Sequence, residues 1–346
     1  MRKSPIFVSS LLLAAHLTGQ GMPAPAQQVD HFDPLVGSWR GTGSAVMEPG
    51  APPMNWTAAT RAAKTLGDHW VREDTSIEFG GSMPPLLFRS FYGWDAERQQ
   101  HVAYMIANDG TGDVVDVRVA ERAFHYSNRR LEDGREMFDH WTVRWAEDGN
   151  SYEMIGRRSI EGGDMFLHVQ GNYTRADDAK PKATDAAFSP MGQPDTQHMD
   201  KFANAVGTYR MEGKVRMTPS MPTMPVLATE DVSLVWGGTM LEMKVEGDPS
   251  PMGVYEGWGA LFWDAGKGCY TNLWLSNMGE CAESRAWWLD DTTLAFFEAR
   301  QAMGQPMAAR TLMMMDEHGA FDEMETHSLT GEADPMVSFD AQYTKQ

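Results

Sequence analysis

The chain is expected to be all-β, folded as two antiparallel β-barrels in tandem. Three observations lead there. The second half repeats the first at an offset of about 170 residues, each half consists of short β-favouring runs parted by turn signals, and helical periodicity is scarce.

The repeat is collinear from end to end. Val36-Gly37-Ser38-Trp39-Arg40 answers to Val206-Gly207-Thr208-Tyr209-Arg210, Pro52 and Met54 to Pro222 and Met224, and Gly67 to Gly237. The offset slips by one residue at Trp94-Asp95 against Trp263-Asp264, and Asn108 and Gly110 keep that slip against Asn277 and Gly279. It is regained at Gly149 against Gly319 and at Tyr173-Thr174-Arg175 against Tyr343-Thr344-Lys345. Duplication explains such an ordered set; chance supplies only isolated matches. The boundaries expected are a signal peptide over 1–26, a first barrel over 31–175, a linker over 176–198 rich in Ala, Asp, Lys and Pro, and a degenerate second barrel over 199–346.

At the N-terminus, Arg2 and Lys3 precede an apolar run over 6–17, and Ala24-Pro25-Ala26 places small residues where a signal peptidase cuts. The run is shorter than the roughly 20 residues a membrane-spanning helix needs. The mature chain is expected to begin near Gln27, periplasmic or secreted, with no membrane insertion after cleavage. The net charge of −19 repels nucleic acid and anionic headgroups, so neither is expected as a partner.

Strands are expected over 70–79, 86–94, 102–107, 114–119, 138–145, 152–160 and 166–173. The turns between them include Gly80-Gly81, Asn108-Asp109-Gly110, Glu147-Asp148-Gly149-Asn150 and Glu161-Gly162-Gly163-Asp164. The second copy repeats the pattern, with strands over 311–315 and 321–329 around Asp316-Glu317-His318-Gly319. A meander of eight to ten strands either leaves two open edges or closes, and closure encloses room for one small ligand. A two-sheet sandwich is the alternative architecture.

Gly37-Ser38-Trp39-Arg40-Gly41-Thr42-Gly43, the middle strand Gly93-Trp94-Asp95 and the closing Tyr173-Thr174-Arg175 resemble an uncharacterised family of bacterial lipocalin-like domains, domain-of-unknown-function family 1579. The resemblance implies a lipocalin/calycin-type barrel in each copy and no established activity. A weaker resemblance is to nitrobindin-type haem-binding barrels, in which a histidine on the last strand precedes a closing tyrosine, as His168 precedes Tyr173. It implies His168 as an axial ligand and haem as a candidate cofactor. The segment Ser44-Ala45-Val46-Met47 departs from that family's pattern, and the second copy has Ser338 in place of the histidine.

Trp39, Trp70, Trp94 and Trp141, with His168, are the candidate ligand-binding residues of the first copy, and Tyr92 joins them as a cavity aromatic. Core packing is the competing role for each. Alternation along the last strand sets His168 with Phe166, Gln170 and Asn172, opposite Leu167, Val169 and Tyr173. Trp287 and Trp288 must point to opposite faces, so one is expected at a contact between barrels. No zinc spacing, nucleophile elbow or phosphate loop is present. Cys269 and Cys281 are left open as a disulfide pair.

Two functions from different classes follow. One is an exported binding protein holding a small hydrophobic molecule, haem among the candidates, in a barrel cavity. The other is a cofactor-free lyase or isomerase working through a His/carboxylate pair. A third is an envelope structural protein with filled barrels. The first copy keeps the fuller motif and is expected to be the functional barrel.

Overall fold

The computed structural model describes residues 25–346 apart from 82, 133, 183–185, 189–195, 217–221, 251–252, 303–304 and 331–335, with backbone alone at 300–302, 305 and 330. The expected signal peptide thus lies outside the described residues but for Pro25 and Ala26.

Side-chain alternation closes each copy on itself. The first barrel is one antiparallel meander of β1 (Gly37–Ala45), β2 (Met54–Thr65), β3 (Trp70–Glu78), β4 (Leu86–Asp95), β5 (Gln100–Ala107), β6 (Gly112–Ala120), β7 (Ala123–Glu132), β8 (Arg135–Trp145), β9 (Ser151–Ile160) and β10 (Phe166–Arg175); β10 returns to pair with β1. The second is built alike from β11 (Gly207–Val215), β12 (Met224–Val235), β13 (Met240–Gly247), β14 (Glu256–Asp264), β15 (Cys269–Ser276), β16 (Cys281–Trp288), β17 (Thr293–Ala302), β18 (Gln305–Met315), β19 (Phe321–Thr330) and β20 (Met336–Lys345), closed by β20 on β11. Neither barrel leaves a sheet edge to pair with another chain. The barrels replace the sandwich alternative. Two strands of the first copy carry weak sequence signals: β2 is rich in alanine, and β7 mixes polar and charged residues.

The glycines of the first strand make room for rings inside the barrel. Trp39, Gly41, Gly43 and Ala45 share the inward face of β1. A Cβ at Gly41 would lie 2.5 Å from the Tyr173 ring, and one at Gly43 2.4 Å from the Trp56 ring. Trp39 is fully buried and donates its indole N–H to the Leu35 carbonyl at 2.7 Å. That carbonyl ends a 3₁₀ segment, Gln27–Leu35, which seals this end of the barrel with Val29, Phe32 and Leu35. In the second copy Asp200–Ala205 is the seal, and the Tyr209 hydroxyl donates to the Ala205 carbonyl at 2.7 Å. A polar group reaching the 3₁₀ segment is what the position requires, and Trp and Tyr both supply it.

The barrels meet along the outer faces of β3–β5 and β13–β15. Leu66, Trp70, Phe91, Tyr104 and Ile106 pack there with Trp236, Met240, Trp258, Phe262 and Leu275. Phe91 and Trp258 have ring centroids 4.4 Å apart. Arg89 pairs with the buried Glu242, also binds Asp74 at 2.8 Å, and lies over the Trp236 ring. The contact is pseudo-symmetric. Asn108 and Asn277 occupy matching turns, accepting from the Leu87 and Glu256 amides at 2.7 and 3.0 Å. They also donate to the Pro85 and Val254 carbonyls.

Trp287 and Trp288 are not at this contact. Trp287 is exposed beside Phe297, and Trp288 packs on Phe202 at the sealed end of the second barrel. The linker is tied to the first barrel rather than loose: the Ala176, Lys182 and Phe188 amides donate to the Ser38 carbonyl, the Ser76 hydroxyl and the Asn108 carbonyl. Cys269 and Cys281 are free thiols. Cys281 stands opposite Leu275, which puts Cys269 about 20 Å further along the hairpin at roughly 3.3 Å per residue.

Burial pushes the Glu242 carboxyl up, but Arg89, Trp258 and Lys244 outweigh it and hold it below the ordinary carboxylate range. Arg89→Ala strands this carboxylate with only the exposed Lys244 as counter-ion. It is expected to cost about 3 kcal/mol at pH 7 in urea unfolding. The contribution of a carboxyl with a depressed pKa is present at neutral pH and lost in acid, so the difference from the parent protein should shrink below about pH 4.

Candidate functional site

The lumens of the two barrels are filled differently. In the first, Trp56, Trp141, Tyr92, Tyr126, Tyr152 and Tyr173 crowd inward, with Tyr152 and Tyr173 stacked at 4.5 Å and Tyr126 and Trp141 at 6.0 Å. Glu73 sits among these hydroxyls; burial pushes its carboxyl up, while hydrogen bonds from Tyr92 and Thr75 pull it back. Towards the other end Asp139, 1 % exposed, accepts from Arg158 at 2.7 and 3.1 Å and from Arg130 at 2.7 Å.

The expected binding residues separate on this frame. Trp39 is part of the sealed end. Trp94 packs at the same end against His101, with ring centroids 4.9 Å apart. Trp70 is a correction: Val71 takes the inward place on β3, so Trp70 points out of the barrel, and its indole N–H donates to the Ser276 carbonyl of the other copy at 3.1 Å. Only Trp141 and His168 meet inside, at 6.3 Å.

The alternation expected for the last strand is broken by a bulge between Leu167 and Val169. His168 therefore turns inward although Val169, Gly171 and Tyr173 also face the lumen. Its Nδ1–H donates to the Val46 carbonyl at 2.6 Å, and burial, then Arg158, lower its pKa, so the ring is neutral with Nε2 as acceptor. That tautomer suits an iron ligand. The surroundings do not suit haem: the ring is 6 % exposed, edged by Trp141 and Phe166 and close to the Arg158–Asp139 pair, with no open face for a porphyrin.

A cavity of about 150 Å³ lies in the second lumen. Its walls are Met211, Met243, Met313, Met324, Phe296, Phe339 and Trp274, and its polar lining includes Glu230, Glu280, Glu298, Asn272, Ser284, Tyr255 and Tyr343. Strand register shows where the space comes from. Trp56 faces Gly43 in the first barrel, and Val226 faces Gly213 in the second. Trp141 opposes Gly156, where the second barrel has Thr311 opposite Thr326. The Asp139–Arg158 pair becomes Ala309 opposite Ser328. Two indoles and a buried ion pair are thus exchanged for small side chains on an unchanged backbone plan.

Polar groups have been added to the same walls. Glu230 takes the place of Thr60, and Glu298 that of Asn128. Glu230 is 3 % exposed; burial pushes its carboxyl up to about 7 against the pull of the Tyr343 hydroxyl, and Asp231 adds to the rise. Nearer the other end, Glu280 accepts from the Ser276 hydroxyl at 2.9 Å and from Tyr255 at 3.4 Å, and Trp274 donates to Tyr255 at 3.2 Å. Ser276 is the residue whose carbonyl receives Trp70, so one short chain of hydrogen bonds joins the inter-barrel contact to the cavity wall. Among the described residues no group of three or more His, Cys, Asp or Glu could hold a metal ion.

Sequence reasoning looked to the first copy and missed Glu230 and Tyr343. With 48 acidic residues, no single glutamate stands out by type. The available signal was the exchange of inward residues between copies, above all Thr60 for Glu230 and Trp141 for Thr311.

The molecule is a tandem pair of closed lipocalin-like barrels, the second of which holds a cavity. Residues 24–116, from ahead of β1 into β6, match the model of a family described as "Protein of unknown function (DUF1579)", which bears out the resemblance carried by the opening and middle strands. No curated protein matches the chain. Among solved structures, Rv2717c from M. tuberculosis is 13 % identical with a TM-score of 0.33, covering 44 % of this chain and 99 % of its own. A DUF3598-family protein of unknown function from Nostoc punctiforme is 12 % identical with a TM-score of 0.29, over 93 % and 99 %. A putative outer membrane protein from Bacteroides fragilis is 7 % identical with a TM-score of 0.21, over 91 % and 99 %. Scores this low carry no functional argument.

Glu230 carries a sign that can be checked. Its pKa is raised on folding, so it weakens the folded state as pH rises from about 4.5 to about 7, and the deficit is full above that. Glu230→Gln is expected to stabilise the protein at pH 8, by up to about 3 kcal/mol, and to change little at pH 4.5. Urea midpoints at the two pH values read this directly.

Proposed function

We propose that this protein is an exported small-molecule binding protein whose second barrel holds an apolar ligand. The observation that carries the reading is the cavity of about 150 Å³, walled by methionine and aromatic side chains, at positions where the first barrel places two indoles and an ion pair. Methionine suits such a wall because its unbranched thioether adapts to the shape of a guest. Export to the periplasm or beyond rests on Arg2, Lys3, the apolar run and Ala24-Pro25-Ala26. Among the described residues no helix is long and apolar enough to cross a membrane. The acidic chain disfavours nucleic acid as a partner.

Of the His/carboxylate neighbours an isomerase would need, His168 lies near Asp139 in the first lumen, but Arg158 and Arg130 already hold that carboxylate. His327 and Glu325 are in contact, but Thr326 between them is the cavity residue, so both point outward. Proton-transfer chemistry has one observation on its side, a buried Glu230 poised near neutrality beside Tyr343. Under that reading the retained molecule is a mixture of substrate and product.

The test is native mass spectrometry of the mature protein taken from an envelope fraction, beside a variant with Thr311→Trp and Thr326→Gly. That pair rebuilds in the second barrel the arrangement in which Trp141 lies over Gly156. The parent is expected to carry one added small molecule, and the double variant to stay folded without it. Ligand retained by both, or by neither after mild isolation, counts against the second barrel as the site.

A further inference from the structure

The chemistry of the cavity narrows the guest, on the reading that the second barrel binds a ligand. Its polar lining is rich in acceptors. Glu230 is buried on the inward face of β12, and the influences on its carboxyl are burial, the Tyr343 hydroxyl and Asp231, with no cation among them. The neighbours across the ladder are Tyr209 on β11 and Val245 on β13, neither of them cationic. Asn272, on β15, donates its amide to the Ser284 hydroxyl at 3.3 Å, while its Oδ1 is buried with no hydrogen-bond partner among the described residues. Glu280 and Glu298 add two more carboxyls further along the wall.

The first barrel treats its inward carboxyls in two ways: Glu73 meets only hydroxyls, from Tyr92 and Thr75, while Asp139 is paired with guanidinium groups. Asp139 is held by Arg158 and Arg130, and the pair is self-contained. At Glu230 the second barrel has a buried carboxyl and no guanidinium against it. An ionised carboxylate in such surroundings is costly until a positive partner arrives. An anionic guest would add to that cost, and a purely hydrocarbon guest would leave Asn272 Oδ1 without a donor.

We propose that the second barrel binds an apolar amine in its protonated form, the ammonium hydrogen-bonded to the Glu230 carboxylate and the hydrocarbon body against Met211, Met243, Met313 and Phe296. Other acceptors on the wall, Asn272 Oδ1 among them, serve further N–H or O–H groups of the guest. Binding then favours ionisation of Glu230. Affinity rises as pH climbs through about 7 and levels off until the amine itself loses its proton. The titratable groups around Glu230 are Tyr209, Tyr343 and Asp231, with Glu280 and Glu298 across the cavity. Tyr209 and Tyr343 are raised by burial and stay protonated over this range.

The experiment is calorimetric titration of the mature full-length protein with hexylamine, 1-hexanol and hexanoate at pH 6 and pH 8. These probes share one hydrocarbon body and differ in head group. Hexylamine is expected to bind about tenfold more tightly than hexanol, and more tightly at pH 8 than at pH 6, with hexanoate weakest. Glu230→Gln should remove the tenfold preference and its pH dependence. Hexanol affinity should stay within about threefold, which reports an intact cavity in the variant. Equal affinities for amine and alcohol, or a preference for hexanoate, would overturn the amine assignment and leave the cavity as a binding site. Failure of all three probes to bind would instead count against the binding reading itself.

Discussion

Ten strands enclose more space than a barrel of eight, in which side chains just meet across the lumen. Whatever the strands themselves specify, the interior of each copy must be filled by something, because an apolar void loses contacts on every wall. The first barrel meets this demand with its own side chains: Trp56 over Gly43 and Gly171, Trp141 over Gly156, Tyr173 against Gly41, and the Asp139–Arg158 pair beyond them. These rings sit against glycines on neighbouring strands, and at Trp141 and Gly156 both partners change in the second copy, to Thr311 and Thr326. The second barrel keeps the strand plan but has lost part of that filling, and a cavity is what remains.

The division of labour between the copies is written in their contact. The barrels pack side by side through matching outer faces, with turns held by Asn108 and Asn277. Apolar packing from Phe91 to Trp258 provides most of the adhesion, and the Arg89–Glu242 pair fixes the register. Trp70, on the first copy, reaches Ser276, whose hydroxyl binds Glu280 at the cavity wall of the second. One barrel thus reaches through the contact to the cavity wall of the other.

Much of the architecture was legible in the sequence, because duplication, turn chemistry and strand alternation are local signals. Gly-x-Trp-x-Gly-x-Gly located the first strand, and the paired Asn-x-Gly turns located the hairpins. The strands at 54–65 and 123–132 were not evident, since alanine and charged residues have weak β-preference and only neighbouring strands hold them in place. Trp70 was misplaced because a tryptophan on a strand facing a second domain looks the same as one facing a lumen. Alternation left His168 between the lumen wall and the surface, because a bulge shifts the pattern without a sequence mark. Glu230 escaped notice among many glutamates; its meaning depends on burial and on the absence of a facing arginine, which are facts of three dimensions.

The central claim is that the second lumen holds a guest and the first does not. A crystal structure of the mature protein isolated from its own cells tests it most directly. Density enclosed by Met211, Met243, Met313 and Phe296, touching Glu230, with the first lumen occupied by its own side chains, is the predicted result. Density beside His168 in the first barrel, or a second lumen closed by inward rotation of its own side chains, would contradict the account.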